Sequence, residues 1–398
     1  MQTRQTDSIR KKVFFTIFII IIVRIGNFIP IPNVDQRYLI NILNSNPSLK
    51  TFFNGDNLTL SVFSLGIIPS INASILIQLL TSAIPYLEKL QKEEGDSGRR
   101  QIKLYTRTLT LLFAIFESLS IAFSLRPILF NWDFSICFEI VLTLTTGSMI
   151  VLWLSDLITE DGIGNGSSFI IAINILSTLP NTILTILTEK TVVSGLISFL
   201  SFTLLIIGVI YIQEAIKVIP LISAKELFNL QNKKNIRNSR SSYLPLRINQ
   251  GGVMPIIFAS TFLTFLTILI NYVCQFFSVK FDNMELTNLF YGVINFILII
   301  GFSLFYSNLI LNPKEIAKEL NKMAVTIPKV RPGKQTASYL KKTITRLSLL
   351  GSLFLAILVT IPNIRSSYGF GITSLLILVA CTIETTRQIQ TLLLSKIY

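Results

Sequence analysis

Residues 66–80, which read GIIPSINASILIQLL, combine an apolar sequence with side chains that can form hydrogen bonds. The polar members are Ser70, Asn72, Ser74 and Gln78. Pro69 fits the first turn of a helix and disrupts an interior turn, because proline lacks an N–H and fixes φ. We therefore expect a membrane helix that begins partway through the bilayer and carries groups for hydrogen bonding across helices.

The preceding segment, residues 52–65, is half apolar and too short to cross a membrane. A spanning helix needs about 20 apolar residues to match a hydrocarbon core of about 30 Å. Non-helical backbone persists at that depth only when protein or water covers it. A half-inserted segment followed by a helix that begins inside the bilayer predicts a cavity, and therefore a pathway through the membrane.

Residue types that enzymes use are scarce. The chain has no histidine, which is the commonest metal ligand and general base. Cys137, Cys274 and Cys381 form no CxxC pair and lie in or near apolar runs, so we expect them to pack. The sequence shows no nucleophile–base pair or ligand cluster, and we expect no enzymatic activity, metal or cofactor.

Three further polar features need an interpretation. The glycine-rich GIGNG at 162–166 lies between predicted membrane spans and matches neither the dinucleotide fingerprint nor the Walker A loop. We expect the neighbouring Asp156, Glu160 and Asp161 to be solvated at the interface. Glu117 is a carboxylate well inside an apolar run, which makes it a functional candidate with an open role.

The composition predicts an all-α membrane protein. Of 398 residues, 51% are hydrophobic and only 14% are charged, whereas a soluble domain is about a quarter charged. Hydropathy predicts ten spans, at residues 13–32, 66–87, 107–130, 137–157, 166–187, 191–213, 252–275, 288–311, 343–362 and 371–388.

The distribution of Lys and Arg sets the orientation of these spans. If the N-terminus defines side A, 28 of the 35 basic residues fall in the side-A loops and tails or at the side-A ends of the spans. The positive-inside rule makes side A cytoplasmic or its equivalent, with both termini there. The ten spans divide into residues 1–188 and 189–398, and five spans per half give the halves opposite orientations, as in many transport proteins.

The side-A loops 214–251 and 312–342 are long, polar and basic. Two such loops on one face fit a docking surface for a large acidic partner. The alternative is that their charge only anchors the topology.

Blocks of sequence along nearly the whole chain occur in a recognisable order. They include VRIGNFIPIP at 23–32, SLGIIPSINASILIQLL at 64–80, WLSDLITEDGIGNGSSFII at 153–171, YLPLRINQGGVMPIIFAS at 243–260, KVRPG at 329–333 and GITSLLILVACTIETTRQIQTLLLSKIY at 371–398. These blocks resemble the SecY/Sec61 family of protein-conducting channels, and specifically its bacterial and plastid branch. The resemblance implies ten helices in two inverted five-helix halves around an hourglass pore.

The same resemblance implies a ring of side chains that pinches the pore. Its members are Ile67, Ile71, Ser167, Ile171, Ile257 and Ile377. A collar of branched apolar side chains wets poorly, which blocks ions, and it can spread around a passing polypeptide. Ser167 departs from the family, which usually has an aliphatic residue there, and is expected to make the collar slightly wetter.

A plug and a lateral gate are also implied. The plug would be a displaceable segment on the non-cytoplasmic side of the collar, with Phe52, Phe53, Asn54, Leu60, Val62 and Phe63. Spans two and seven would form a gate through which apolar segments leave for lipid, with Asn72, Gln78, Asn165 and Phe265. Hydrogen bonds between buried amides on neighbouring helices are weak enough to break when a gate opens. For Gln78, a permanent interhelical hydrogen bond is an equally good interpretation.

The resemblance finally implies partners. Arg331 matches a family arginine that contacts the motor ATPase SecA and the ribosome, and the neighbouring basic loop adds Lys233, Lys234, Arg237, Arg240 and Arg247. SecE is expected as a clamp, with a small third subunit as a further possibility, and unfolded preproteins as substrates. Abundant Ile, Asn, Lys and Phe resemble plastid-encoded members, which implies the thylakoid membrane, or otherwise a bacterial plasma membrane.

A secondary transporter for a small solute is the alternative function. Broken helices and inverted halves suit it equally well. The scarcity of charges at the predicted midplane and the large basic loops disfavour it.

Overall fold

The computed structural model describes residues 2–32, 34, 60–92, 94–126, 133–187, 192–223, 242–252, 254–263, 266, 284–365 and 372–394. Contacts divide the chain into two compact units. The first is Met1–Thr185 together with Cys381–Tyr398, and the second is Ile186–Ala380. One division lies close to the boundary that we predicted after residue 188, and the other falls inside the last helix.

Helices make up the first unit. They are α1 (Gln2–Gly26), α2 (Ile68–Ala83), α3 (Pro85–Lys92), α4 (Gly95–Leu125), α5 (Phe134–Asp161) and α6 (Gly166–Leu187). Helix α4 packs against α2, α3 and α5, and α1 packs against α5.

The second unit contains helices and four short strands. They are α7 (Val192–Glu214), β1 (Ile216–Pro220), β2 (Ile222–Ser223), β3 (Tyr243–Arg247), α8 (Met254–Leu263), α9 (Met284–Ile310), α10 (Pro313–Lys322), β4 (Val325–Thr326) and α11 (Lys334–Arg365). The last helix, α12 (Ile372–Leu394), contributes its end to the first unit.

Each of the ten predicted spans overlaps a helix of the structure. Within the described residues, four helical segments have the length and composition to cross a membrane: Gly95–Phe123, Phe134–Asp161, Phe290–Lys322 and Lys334–Thr360. The bent pair α2 and α3 makes a fifth if it is counted as one span. The described parts of α6, α7 and α8 contribute shorter apolar stretches, Gly166–Ser177, Thr203–Glu214 and Met254–Leu263.

The second predicted span, 66–87, is wrong at its end. Helix α2 stops at Ala83, and α3 leaves at an angle of 108°. Ile84 between them is extended, with φ −104° and ψ 113°. The physical reason is Pro85, because the proline ring disfavours helical backbone in the residue before it.

A core in the first unit holds residues 60–65 in place. The buried Leu60 and Leu65 pack with residues of α4 and α5, such as Ile121 and Ile140. Residues Pro30 and Ser61 form an antiparallel bridge, in which Ile31 donates to the Leu60 carbonyl at 3.2 Å. The chain before α2 is therefore fixed to the end of α1 by backbone hydrogen bonds and to α4 and α5 by packing.

The described parts of the two basic side-A loops form a folded layer in the second unit, and their role as a docking surface stays a prediction. Strand β1 pairs with β3, and β2 pairs with β4, both antiparallel. Beneath them lies an apolar cluster whose buried members are Ile219, Leu246, Ala317, Leu320, Ile327, Leu340, Ile344 and Leu347. We call the strands β1 to β4 together with α10 and this cluster the basic layer.

Candidate functional site

Helix α2 begins in the way that its sequence predicts. Gly66 adopts φ +55°, a backbone conformation that favours glycine. Pro69 lies in the first turn of the helix, where its missing N–H costs nothing. The Ser70 hydroxyl donates to the Ile67 carbonyl at 2.8 Å. A tight turn followed by proline therefore sets the point at which the helix starts.

This start positions the two predicted collar residues of α2. Ile67 and Ile71 are 3% and 4% exposed, and a spacing of four residues places them on one face. Ser167 and Ile171 share a face of α6 in the same way and are half-buried. In the second unit, Ile257 on α8 and Ile377 on α12 are also half-buried. That the six residues form one ring stays a prediction.

Ser167 is hydrogen-bonded at the start of its own helix, and its effect on the wetting of the collar stays a prediction. Its hydroxyl donates to Asn165 Oδ1 at 2.7 Å, and its backbone N–H donates to the same oxygen at 3.2 Å. A hydroxyl that already has a hydrogen-bond partner attracts water less strongly. This serine should therefore perturb an apolar collar less than a serine without a partner would. The same contacts make Asn165 the cap of α6, and a role in the lateral gate stays a prediction.

Asn72 contacts the membrane carboxylate that the sequence singled out. Its Nδ2 donates to Glu117 Oε1 at 3.0 Å, which joins α2 to α4. Glu117 thus has a defined partner, and that partner is a predicted gate residue. Gln78 lies on the exposed surface of α2, and Phe265 lies outside the described residues.

The structure describes only part of the predicted plug. Phe52, Phe53 and Asn54 lie outside the described residues. Leu60 is completely buried, Phe63 is 9% exposed, and Val62 is half-buried. A side chain on Gly26 would overlap the Phe63 ring, and one on Gly147 would overlap the Val62 carbonyl. The described plug residues are thus closely packed in this structure, and their displacement stays a prediction.

The predicted docking residues lie at the surface of the basic layer where the structure describes them. Arg331 is exposed in the turn between β4 and α11, and its carbonyl accepts from Thr336 Oγ1 at 2.9 Å. Arg247 is exposed at the end of β3. The other four, Lys233, Lys234, Arg237 and Arg240, lie outside the described residues.

The expected solvation of the acidic group beside GIGNG holds for Glu160 and Asp161, which are exposed, whereas Asp156 is half-buried. Two members of the group also form ion pairs. Lys103 Nζ lies 2.8 Å from Glu160 Oε1 and 3.4 Å from Asp156 Oδ2, and Arg107 also binds Asp156. These pairs join α4 to α5 at the ends that we predict to lie on side A. The sequence did not reveal them because the partners lie 49 and 57 residues apart.

A second amide contact was also missed from the sequence. Asn27 Nδ2 donates to Asn174 Oδ1 at 3.1 Å, between the end of α1 and α6. Asn174 follows Ser167 by seven residues and Ile171 by three, and so lies on the same helix face. This spacing was the signal in the sequence that could have identified Asn174.

Comparison with protein families and relatives finds similar chains. Residues 61–386 match the family model described as SecY. The chain is 45% identical to a protein translocase subunit SecY of Guillardia theta, over 98% of this chain and 96% of the relative. It is 39% identical to the protein translocase subunit SecY of Synechocystis sp., over 100% of this chain and 95% of the relative.

Solved structures with the same fold are protein-conducting channels. One, described as a protein conducting channel, superposes with a TM-score of 0.66 at 17% identity, covering 97% of this chain and 92% of that one. Another is Sec61 in a canine ribosome-channel complex from the endoplasmic reticulum, with a TM-score of 0.63 at 16% identity, covering 97% and 92%. These likenesses show the fold.

Proposed function

The chain belongs to the SecY family of protein translocase subunits, and on that premise we propose how it seals a membrane at rest and opens for a polypeptide. Six side chains form the collar: Ile67, Ile71, Ser167, Ile171, Ile257 and Ile377. Membership in this family favours protein conduction over the transport of a small solute. The chain forms the channel subunit of the translocase and is a multi-pass membrane protein.

The observation that carries the collar is the start of α2. A helix that began at a headgroup surface would place its first apolar side chains at the interface. Gly66 and Pro69 instead start the helix after a buried, non-helical segment, so that Ile67 and Ile71 are covered by protein. The helix therefore starts within an apolar core, and its first side chains are branched and buried. Side chains of this kind form a constriction that water wets poorly.

The lateral gate lies between α2 and α8 in this account, and lipid receives the apolar segments that leave through it. Asn72 lies on α2 and is held by Glu117 of α4. An interhelical hydrogen bond of this kind contributes about 0.6–2 kcal/mol, which is small enough to break during a transport cycle. The contact therefore steadies α2 without locking it.

The basic layer supports the proposal of a docking surface for SecA or a translating ribosome. Arg331 and Arg247 are exposed on a layer that has its own apolar core. Arginine on a preformed surface binds carboxylate or phosphate groups with little loss of conformational entropy. The same proposal includes SecE as a clamp and a possible small third subunit. It also includes a thylakoid location and termini on the stromal side.

The collar is tested by ion leakage. In vesicles that contain the purified channel, Ile71→Asn and Ile171→Asn should raise the resting ion conductance, since an amide attracts water into the constriction. Leu76→Asn is the matched control, because residue 76 lies about 140° around the same helix from Ile71. Conductance that is unchanged in both collar variants, or raised equally by the control, would count against the collar.

A further inference from the structure

The contact between Asn27 and Asn174 belongs to neither the proposed collar nor the proposed gate. Each amide belongs to a predicted membrane segment of the first unit, and the two residues are 147 positions apart in the sequence. Polar side chains at such depth have a cost unless they are bonded. The bond therefore marks a place where α1 and α6 are held in one relative position.

Asn174 lies on the same side of α6 as the collar residues. At about 100° per residue, Ser167, Ile171 and Asn174 fall within about 60° of one another around the helix. Asn174 also lies about 4.5 Å beyond Ile171 along the helix axis. A small rotation of α6 that moved Asn174 away from Asn27 would turn Ile171 by the same angle.

Other contacts fix the start of α6, which precedes the collar residues along the helix axis. The backbone N–H of Gly166 donates to Thr159 Oγ1 at 2.9 Å, and Asn165 Oδ1 caps the helix by accepting from the Ser167 N–H. A side chain on Gly166 would overlap the Ser155 backbone, so α6 begins in direct contact with α5. The collar residues thus lie between this start and Asn174.

Asn27 is itself held in place. Its backbone N–H bonds to the Val23 carbonyl at 3.2 Å, at the end of α1. The adjacent Gly26 packs directly against the Phe63 ring in the segment before α2. The amide donor is therefore attached to the same part of the molecule that positions the start of α2.

We propose that Asn27 and Asn174 are positioning residues that set the rotation of α6 and thereby direct Ser167 and Ile171 into the pore. This inference rests on the collar proposed above. The pair would keep the α6 half of the collar in register with the α2 half, because Asn27 and Phe63 belong to one packed region.

Thiol labelling measures this rotation directly. The three native cysteines are replaced by Ala, and single cysteines are placed by Ile171→Cys or Ile170→Cys in the full-length channel in membrane vesicles. A membrane-impermeant methanethiosulfonate reagent is added on side A. Position 171 should react and position 170 should be protected, because Ile170 is 1% exposed.

Loss of the amide pair should change this pattern. In Asn27→Leu or Asn174→Leu channels, labelling at 171 should slow about threefold to tenfold and labelling at 170 should rise, as expected for an interhelical bond of ordinary strength. Asn27→Asp should restore the original pattern, because the Asn174 amide can donate to the new carboxylate. If the leucine variants fail to accumulate, Asn27→Ala removes the donor without adding bulk.

A buried amide elsewhere supplies the control. Asn295 lies in α9 of the second unit, and Asn295→Leu should leave both labelling rates unchanged. Labelling at 171 that is insensitive to Asn27→Leu, Asn27→Ala and Asn174→Leu would overturn this inference and leave the collar standing. No labelling at 171 in the channel with both asparagines would overturn the collar and this inference with it.

Discussion

The segment before α2 and the basic layer both present residues with proposed functions, but they are stabilised in different ways. Residues 60–65 are fixed by close packing at Gly26 and Gly147 and by backbone bonds to the end of α1. The basic layer has its own apolar core and leaves charged side chains such as Arg331 exposed. The difference teaches that the proposed seal would depend on shape, whereas the proposed docking would depend on charge displayed on a layer with its own core.

The largest expected effect on stability comes from the core of the basic layer. Leu340 is completely buried in that cluster, and Leu340→Ala should destabilise the layer by about 2–5 kcal/mol. SecA-driven transport should fall while resting ion conductance stays unchanged, because none of the proposed collar residues belongs to this cluster. Thermal unfolding and a conductance assay in the same vesicles check this, and a rise in resting leak would erase the distinction between the two regions.

A smaller destabilisation is expected in the segment before α2. Gly147→Ala places a methyl group against the Val62 carbonyl, and such overpacking costs about 1–3 kcal/mol. Here the resting leak should increase, since the segment leads into Ile67. Gly301→Ala is the matched control, because among the described residues no atom outside its own turn of helix lies within 4 Å of the added carbon. Equal effects of the two substitutions on unfolding would refute the packing argument.

A third change tests the bond that steadies the gate. Glu117→Leu removes the acceptor of Asn72 and should weaken the closed gate by about 0.6–2 kcal/mol. Segments of marginal hydrophobicity should then partition into lipid more often, as measured by the fraction inserted from a graded series. Glu117→Gln keeps an acceptor oxygen and should behave like the parent, so a glutamine variant that matched the leucine variant would exclude this role for the bond.

The smallest effect on stability is expected at Arg331. Its side chain is exposed, so Arg331→Glu should leave the unfolding temperature unchanged while it impairs SecA-driven transport through reversed charge. Lys314→Glu on the same layer is a comparison for general loss of positive charge. Normal transport by the Arg331 variant would remove this residue from the docking surface.

Local sequence signals predicted the positions of the helices well. Gly66 and Pro69 act on the backbone within a single turn, so the start of α2 could be located without knowledge of the fold. Pro85 carried the same kind of signal for the turn after Ala83, and the predicted span 66–87 overlooked it. We interpreted residues 214–251 from their charge alone and therefore did not predict the short strands β1 and β3.

Contacts between distant residues could not be predicted in this way. The Asn72–Glu117, Asn27–Asn174 and Lys103–Glu160 pairs join residues 45, 147 and 57 positions apart. Their formation depends on how α1, α2, α4, α5 and α6 pack, which single residue types do not specify. The sequence identified Glu117 as unusual but could not name its partner.

Cross-linking of a polypeptide stalled in transit tests the collar most directly. A photoreactive amino acid is placed in turn at positions 71, 171, 257 and 377, with position 76 on another face of α2 as the control. We expect the stalled chain to cross-link to all four collar positions and not to position 76. Cross-links that avoid the four collar positions, in a channel that still transports, would contradict the account.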